Sequence, residues 1–309
     1  MLKMLTATAL VAIATSPLAY AGTKTVDAGD FTQIEAKAAM NVIYTAGPER
    51  SVQIETDGDD FSDADVSVDG DTLVITRVSA GKRSWLGGGA NMRVSDDGKT
   101  IRVNGKKVPY YTVRVTSPDL KGIKMAQSAT GEASGIKATN FTAQASSSAE
   151  LKLSGSATRA EINASSSGEI DASQFAAGSL DINASSSGEI EAMAAGTEQT
   201  DVSASSSGGV SLRSVEAASF KVNASSGAEI ELSGLCNSVD ISASSGADVN
   251  AGDLKCQTAT ANASSGGDIE AFASGSAIGS ASSGGDVSFE GAPKETDSKE
   301  SSGGSVSFN

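Results

Sequence analysis

Carboxylates recur at a fixed interval through the second half of this chain. Five residues after the alanine of each Ala-Ser-Ser motif stand Glu150, Glu169, Glu189, Glu229, Asp248, Asp268 and Asp286, with Gly209 in the one gap. A patchier set follows two residues later at Asp171, Glu191, Glu231 and Glu270. Carboxylates at short range do two kinds of chemistry: acid–base work at a glycosidic bond and oxygen ligation of hard cations. Like charges stacked about 5 Å apart on a wet surface repel by roughly 0.8 kcal/mol per pair. The first set has five adjacent pairs, so about 4 kcal/mol of repulsion before screening needs an offset. Ca²⁺ bridging along Glu169, Glu189, Glu229, Asp248 and Asp268 is one. The plainer reading is a solvated acidic face that resists edge-on aggregation, and the chain lacks the Gly-Gly-x-Gly-x-Asp nonapeptide of calcium-binding β-rolls.

Two further groups carry chemistry. Cys236 and Cys256 each lie seven residues before an Ala-Ser-Ser alanine (Ala243 and Ala263), one repeat apart. Equivalent positions in adjacent coils fall about 4.8 Å apart, within reach of a disulfide, so the spacing predicts that bond. The other group is basic. Residues 77–124 hold 11 of the 23 Lys and Arg against Asp96, Asp97 and Asp119, a local charge of +8 (11 − 3) in a chain of −15, which leaves −23 elsewhere. This segment contains Trp85, the only tryptophan, beside Gly87-Gly88-Gly89, with Lys82, Arg83 and the pair Tyr110-Tyr111. An aromatic loop flanked by cations suits an anionic glycan or another cell-surface component; the structural alternative is a hairpin whose Trp85 packs over the open end of a solenoid as a cap.

The elements that hold these groups follow from the repeat. The motif alanines are Ala145, Ala164, Ala184, Ala204, Ala224, Ala243, Ala263 and Ala281, spaced 19, 20, 20, 20, 19, 20 and 18 residues apart. Ala126-Gln127-Ser128 stands one step earlier and Glu300-Ser301-Ser302 one step later. Periods of this length belong to solenoids. Two residues before the alanine come Ile162, Ile182, Val202, Val222 and Ile241; six after it come Leu151, Ile170, Ile190, Val210, Ile230, Val249, Ile269 and Val287. Polar residues alternate with them, the mark of strands with one buried face. The pattern predicts an all-β fold: a single-stranded parallel β-helix of about 19–20 residues per coil, right-handed by the usual crossover preference. Each coil is expected to hold two short strands joined by a Ser-Ser-Ser-Gly corner in which glycine supplies the unusual backbone angles, then a connection that absorbs the length variation. Asparagine in Asn-Ala-Ser marks a strand end rather than a glycan acceptor.

The first 21 residues read as an export signal: Lys3, an apolar run from Leu5 to Ile13, and the small-x-small site Ala19-Tyr20-Ala21. Residues 22–125 form an irregular β region continuous with the solenoid, and 126–309 the regular coils. No stretch reaches the ~20 apolar residues of a membrane span. The acidic balance argues against nucleic acid, and a chain without histidine has no His-based triad.

A family resemblance rests on Asp30-Phe31-Thr32-Gln33-Ile34, Met40-Asn41-Val42-Ile43-Tyr44-Thr45-Ala46-Gly47, Asp69-Gly70-Asp71-Thr72-Leu73-Val74-Ile75 and Val113-Arg114-Val115-Thr116-Ser117-Pro118-Asp119-Leu120, followed by repeats such as Gly168-Glu169-Ile170. This order resembles the head GIN domain family of autotransporter adhesins. The resemblance implies a β-helical cell-envelope protein with an adhesive role; it brings no catalytic residues, and no translocating barrel is seen here. The resulting expectation is an exported, non-enzymatic protein, periplasmic, secreted or at the cell surface, that binds glycans, cells or itself, self-association running through the solenoid ends. The alternative is a polysaccharide-processing β-helix enzyme, against which the acids count by forming repeated columns rather than one cluster.

Overall fold

The computed structural model describes residues 22–81, 92–95, 100–196 and 198–309. The signal-like residues 1–21 and Lys82, Arg83 and Trp85 lie outside the described residues. The fold is all-β, a solenoid of about nine turns with irregular strands at its N-terminal end. Val78–Gly81 is the one helical turn among the described residues. Coil pairs with coil in parallel: Glu150–Ser165 on Glu169–Ser185, Gly209–Ser225 on Glu229–Ser244, Asp248–Ser264 on Asp268–Ser282.

Most coils are one long bent strand rather than the two short strands expected. The strands run up to 17 residues, and the ladder shifts register between Lys152 and Ser154, Ala172 and Ala176, and Ala251 and Cys256. Bulges turn the chain without ending its hydrogen bonding. The 18-to-20-residue variation falls in these stretches, as expected, because elsewhere every residue keeps an inward or outward assignment.

The corners differ from expectation in an instructive way. In the earlier coils the positive-φ residues are the serines: Ser166 and Ser167 (52° and 61°), Ser186 and Ser187 (50° and 61°). They stack through backbone bonds, Ser167 N–H to Ser186 O at 3.1 Å and Ser187 N–H to Ser206 O at 3.2 Å. The glycine that follows is there for space. A Cβ at Gly267 would lie 2.7 Å from the Ala243 carbonyl of the coil below, so that the backbone would have to shift to admit one. Across the Ser corners this slot holds only glycine or alanine (Ala149, Gly168, Gly188, Gly208, Ala228, Ala247, Gly267, Gly285, Gly304).

Stacking begins before the serines do. Gln33–Ala36 pairs in parallel with Gly122–Ala126, and Asn41–Ala46 with Thr130–Ser146. The corner between Gln33–Ala36 and Asn41–Ala46 has Ala38 and Ala39 at φ 63° and 53°. Here the slot holds Met40, which is fully buried. After this first coil the chain departs at residue 47 and returns at 122. Within the departure Thr72–Arg77 and Tyr111–Ser117 still stack in parallel on Gln33–Ala36 and Asn41–Ala46, and antiparallel strands continue from them: Ser51–Thr56 on Tyr111–Ser117, Gly22–Val26 on Ser51–Thr56, and Ala64–Asp69 on Thr72–Arg77. One apolar core runs from Phe31 to Phe289.

Candidate functional sites

The register places the acids in columns. Glu150, Glu169, Glu189, Gly209, Glu229, Asp248, Asp268 and Asp286 pair successively, and so do Lys152, Asp171, Glu191, Ser211 and Glu231. Between them runs a shallow trough of about 370 Å³, from Lys152 to Glu231, narrowed in charge at Gly209 and Ser211. The columns are single file. Among the described residues no three acidic side chains gather as a metal cage. Partial burial raises the Asp268 pKa, with Asp286 and Asp248 adding to it. Burial also raises Glu270, helped by the charge and hydrogen bond of Glu290.

A second trough of about 710 Å³ follows the strand ends before the corners, lined by Asn183, Ser203, Asn223, Ser242 and Asn262 among others. Of its asparagines, Asn183 donates to Asp181 within its own strand at 2.9 Å, as Asn163 does to Glu161 in the neighbouring coil at the same distance. Cys236 and Cys256 form the expected disulfide, with Cα atoms 4.3 Å apart.

The basic segment divides into residues that hold the fold and residues that face water. Arg77, the largest fully buried side chain among the described residues, sits at the base of the departure from the stack. Its Nε donates to Ala38 O (2.9 Å), and Nη1 to Pro109 O (2.8 Å) and Asp63 Oδ2 (3.3 Å). Asp63 also accepts from the Ser79 amide (2.8 Å) and hydroxyl (3.0 Å). Burial pulls the Arg77 pKa down while Asp63 opposes the shift. Parity carried a signal for this node that the sequence reading passed over, since Arg77 follows Leu73 and Ile75 on the inward-facing side of one strand. Arg114 and Lys124 are likewise paired, with Glu55 and Glu35 at 2.9 and 3.6 Å.

The two tyrosines point apart, as neighbours in an extended chain must. Tyr111 is buried, its hydroxyl donating to Asp60 O at 2.9 Å and its ring 4.9 Å from the Arg77 guanidinium. Burial raises its pKa. A ligand at the surface does not reach that ring as it stands here. Tyr110 is half-buried against a small separate cluster of Ala39, Ile101 and Val103.

That cluster lies under a three-stranded antiparallel sheet, Met92–Val94, Ile101–Val103 and Lys106–Val108. Its register sets Arg93 opposite Arg102 and Arg102 opposite Lys107. All three are exposed, while Ile101 and Val103 on the alternate positions are buried. Like charges directly opposite in a sheet are destabilising, which makes this row of three cations a feature the fold carries at a cost. Asn104-Gly105 is a hairpin-turn pair, but nothing local aligns the cations, because Arg93 is separated from the other two.

The fold and its faces define a β-solenoid with an acidic side and a locally basic N-terminal region. The chain belongs to the family described as "Putative auto-transporter adhesin, head GIN domain", which matches residues 30–211 and, overlapping, 195–293. Solved structures similar to it include a "putative adhesin" from Parabacteroides merdae (15% identity, 93% of this chain and 95% of that one, TM-score 0.47), a "Putative lipid binding protein" from Parabacteroides distasonis (17%, 93% and 96%, 0.43) and a "putative adhesin" from Bacteroides fragilis (15%, 93% and 96%, 0.37). No curated protein matches. Among the described residues no helix is long and apolar enough to cross a membrane.

Proposed function

We propose that this chain is an exported, non-enzymatic envelope or surface protein that works as an adhesin, presenting its solenoid for binding to glycans or cells. The observation that carries the reading is membership of the adhesin family across residues 30–293, on a fold whose long faces repeat polar and acidic groups coil after coil. Export is supported by the signal-like residues 1–21 and by a disulfide, which persists in oxidising compartments. Regular arrays of this kind suit multivalent attachment, in which weak contacts add through effective concentration.

The test is binding of the exported chain to intact bacterial cells and to a glycan array, in calcium and in EDTA. Saturable binding supports the reading, and loss in EDTA alone assigns it to the acidic columns. No binding to cells or glycans refutes it. Release of reducing ends from a bound glycan would replace it with the polysaccharide-processing reading.

A further inference from the structure

We infer that the outer face of the small sheet, carried by Arg93, Arg102 and Lys107, is a docking surface for a linear polyanionic glycan with one carboxylate or sulfate per sugar or per few sugars. This deepens the adhesive reading and rests on it for the availability of such a glycan. Four observations support the assignment. Antiparallel pairing places the three cations in a row across adjacent strands, with neighbouring Cα atoms about 4.5–5.5 Å apart. Such a row suits a run of charges along one polymer better than a single compact anion. Among the described residues none of the three meets a carboxylate: the ion pairs of this region go to Arg77, Arg114 and Lys124 instead. Arg102 spends one donor on Gly105 O at 3.2 Å and keeps the rest of its fork, the geometry that takes carboxylate or sulfate bidentately. The apolar underside, Ile101 and Val103 against Ala39, fixes the sheet on the end of the solenoid.

The wider charge distribution narrows the occupant. With −23 outside residues 77–124, a polyanion is repelled from the solenoid and steered to this end. An anionic membrane is a poorer fit, since it would have to approach the acidic body as well. Among the described residues the exposed large apolar side chains, Val78, Val215, Leu235 and Ile278, include none from the sheet.

The experiment uses the full exported chain, with polygalacturonate as the probe, dextran as the neutral polymer and phosphatidylglycerol vesicles as the lipid arm. The variant is Arg93→Gln/Arg102→Gln/Lys107→Gln. The control, Arg159→Gln/Arg213→Gln/Lys221→Gln, removes the same charge from exposed solenoid positions. Expected are binding to polygalacturonate that weakens with salt, none to dextran, and an affinity about tenfold lower in the sheet variant against about twofold in the control. The sheet variant should melt no lower than wild type, since it relieves repulsion. Equal losses in both variants, binding to vesicles but not to polymer, or no polymer binding at all would each overturn the assignment. Cell binding that survives such a result leaves the adhesive reading standing while the sheet loses its role.

Discussion

The solenoid and the departure between residues 47 and 121 stabilise themselves in opposite ways. The solenoid spreads its energy over near-identical coils: an inward aliphatic, a corner of two left-handed residues and a small residue in the slot below, repeated with little variation. The departure uses each device once. One buried arginine ties together the Ala38–Ala39 corner, Pro109 and Asp63, and one small sheet covers one small cluster. Damage to a repeated structure is shared with neighbours, whereas damage to a unique node has no substitute. The same contrast explains where binding chemistry differs: the repeats multiply one surface, and the irregular end concentrates positive charge in a single place.

The sharpest way to break this contrast is at Arg77. Arg77→Ala leaves Asp63 and two carbonyls without their buried partner, a loss of about 3–5 kcal/mol. Amide hydrogen exchange should accelerate across residues 51–117 while the coils beyond residue 150 keep their protection. Uniform loss along the chain would mean that the end and the solenoid unfold as one unit. Next in size, Cys256→Ser opens a 20-residue loop and should cost about 3 kcal/mol, read as a lower denaturation midpoint that reducing agent reproduces in wild type. Gly188→Ala adds a methyl against the Ala164 backbone; overpacking predicts a loss of about 1–3 kcal/mol. The same test at Gly208 should give a similar value, and unequal results would show that the coils are less equivalent than their register.

The smallest effect concerns pH. Asp268 and Glu270 have raised pKa values in the folded chain, so the fold binds their protons more tightly than the unfolded chain does. Their contribution therefore becomes more favourable as pH falls through the folded values and is complete below the ordinary 3.8 and 4.5. Asp268→Asn should raise the melting temperature slightly at pH 7, and its advantage over wild type should shrink on mild acidification. A constant difference across that range would exclude titration of Asp268 as the cause.

Much of the solenoid was legible because its constraint is periodic. Parity assigns Ile162, Ile182 and Ile230 inward in every coil, and equal phase alone put Cys236 beside Cys256. The corner residues were found and their roles only partly exchanged: in the earlier coils two serines take the left-handed angles, in the later ones a serine and then a glycine (Gly227, Gly246, Gly266, Gly284, Gly303), and the small residue that follows answers to the coil beneath it. Such a contact is invisible in a single repeat, since it exists only once a second coil lies below. The early start of the stack was hidden for a similar reason. Ala38 and Ala39 form the same corner as two serines, as do Gln127 and Ser128, because the geometry rests on stacked backbone bonds such as Ala39 N–H to Gln127 O rather than on hydroxyls.

Among the binding candidates, sequence located the basic segment and the aromatic pair but could not sort them. Tyr111 enters the core and Tyr110 the small cluster because consecutive strand residues face opposite sides. Arg77 turns inward by the parity of its strand, while Arg93, Arg102 and Lys107 meet only when three separate strands adopt one register. Sequence by itself therefore determined the period, the inward columns, the acidic face and the disulfide, all consequences of local alternation repeated at fixed length. The tertiary structure alone decided which cations are spent inside and which line up in water, because cross-strand register depends on how distant segments pair, and no local pattern encodes that.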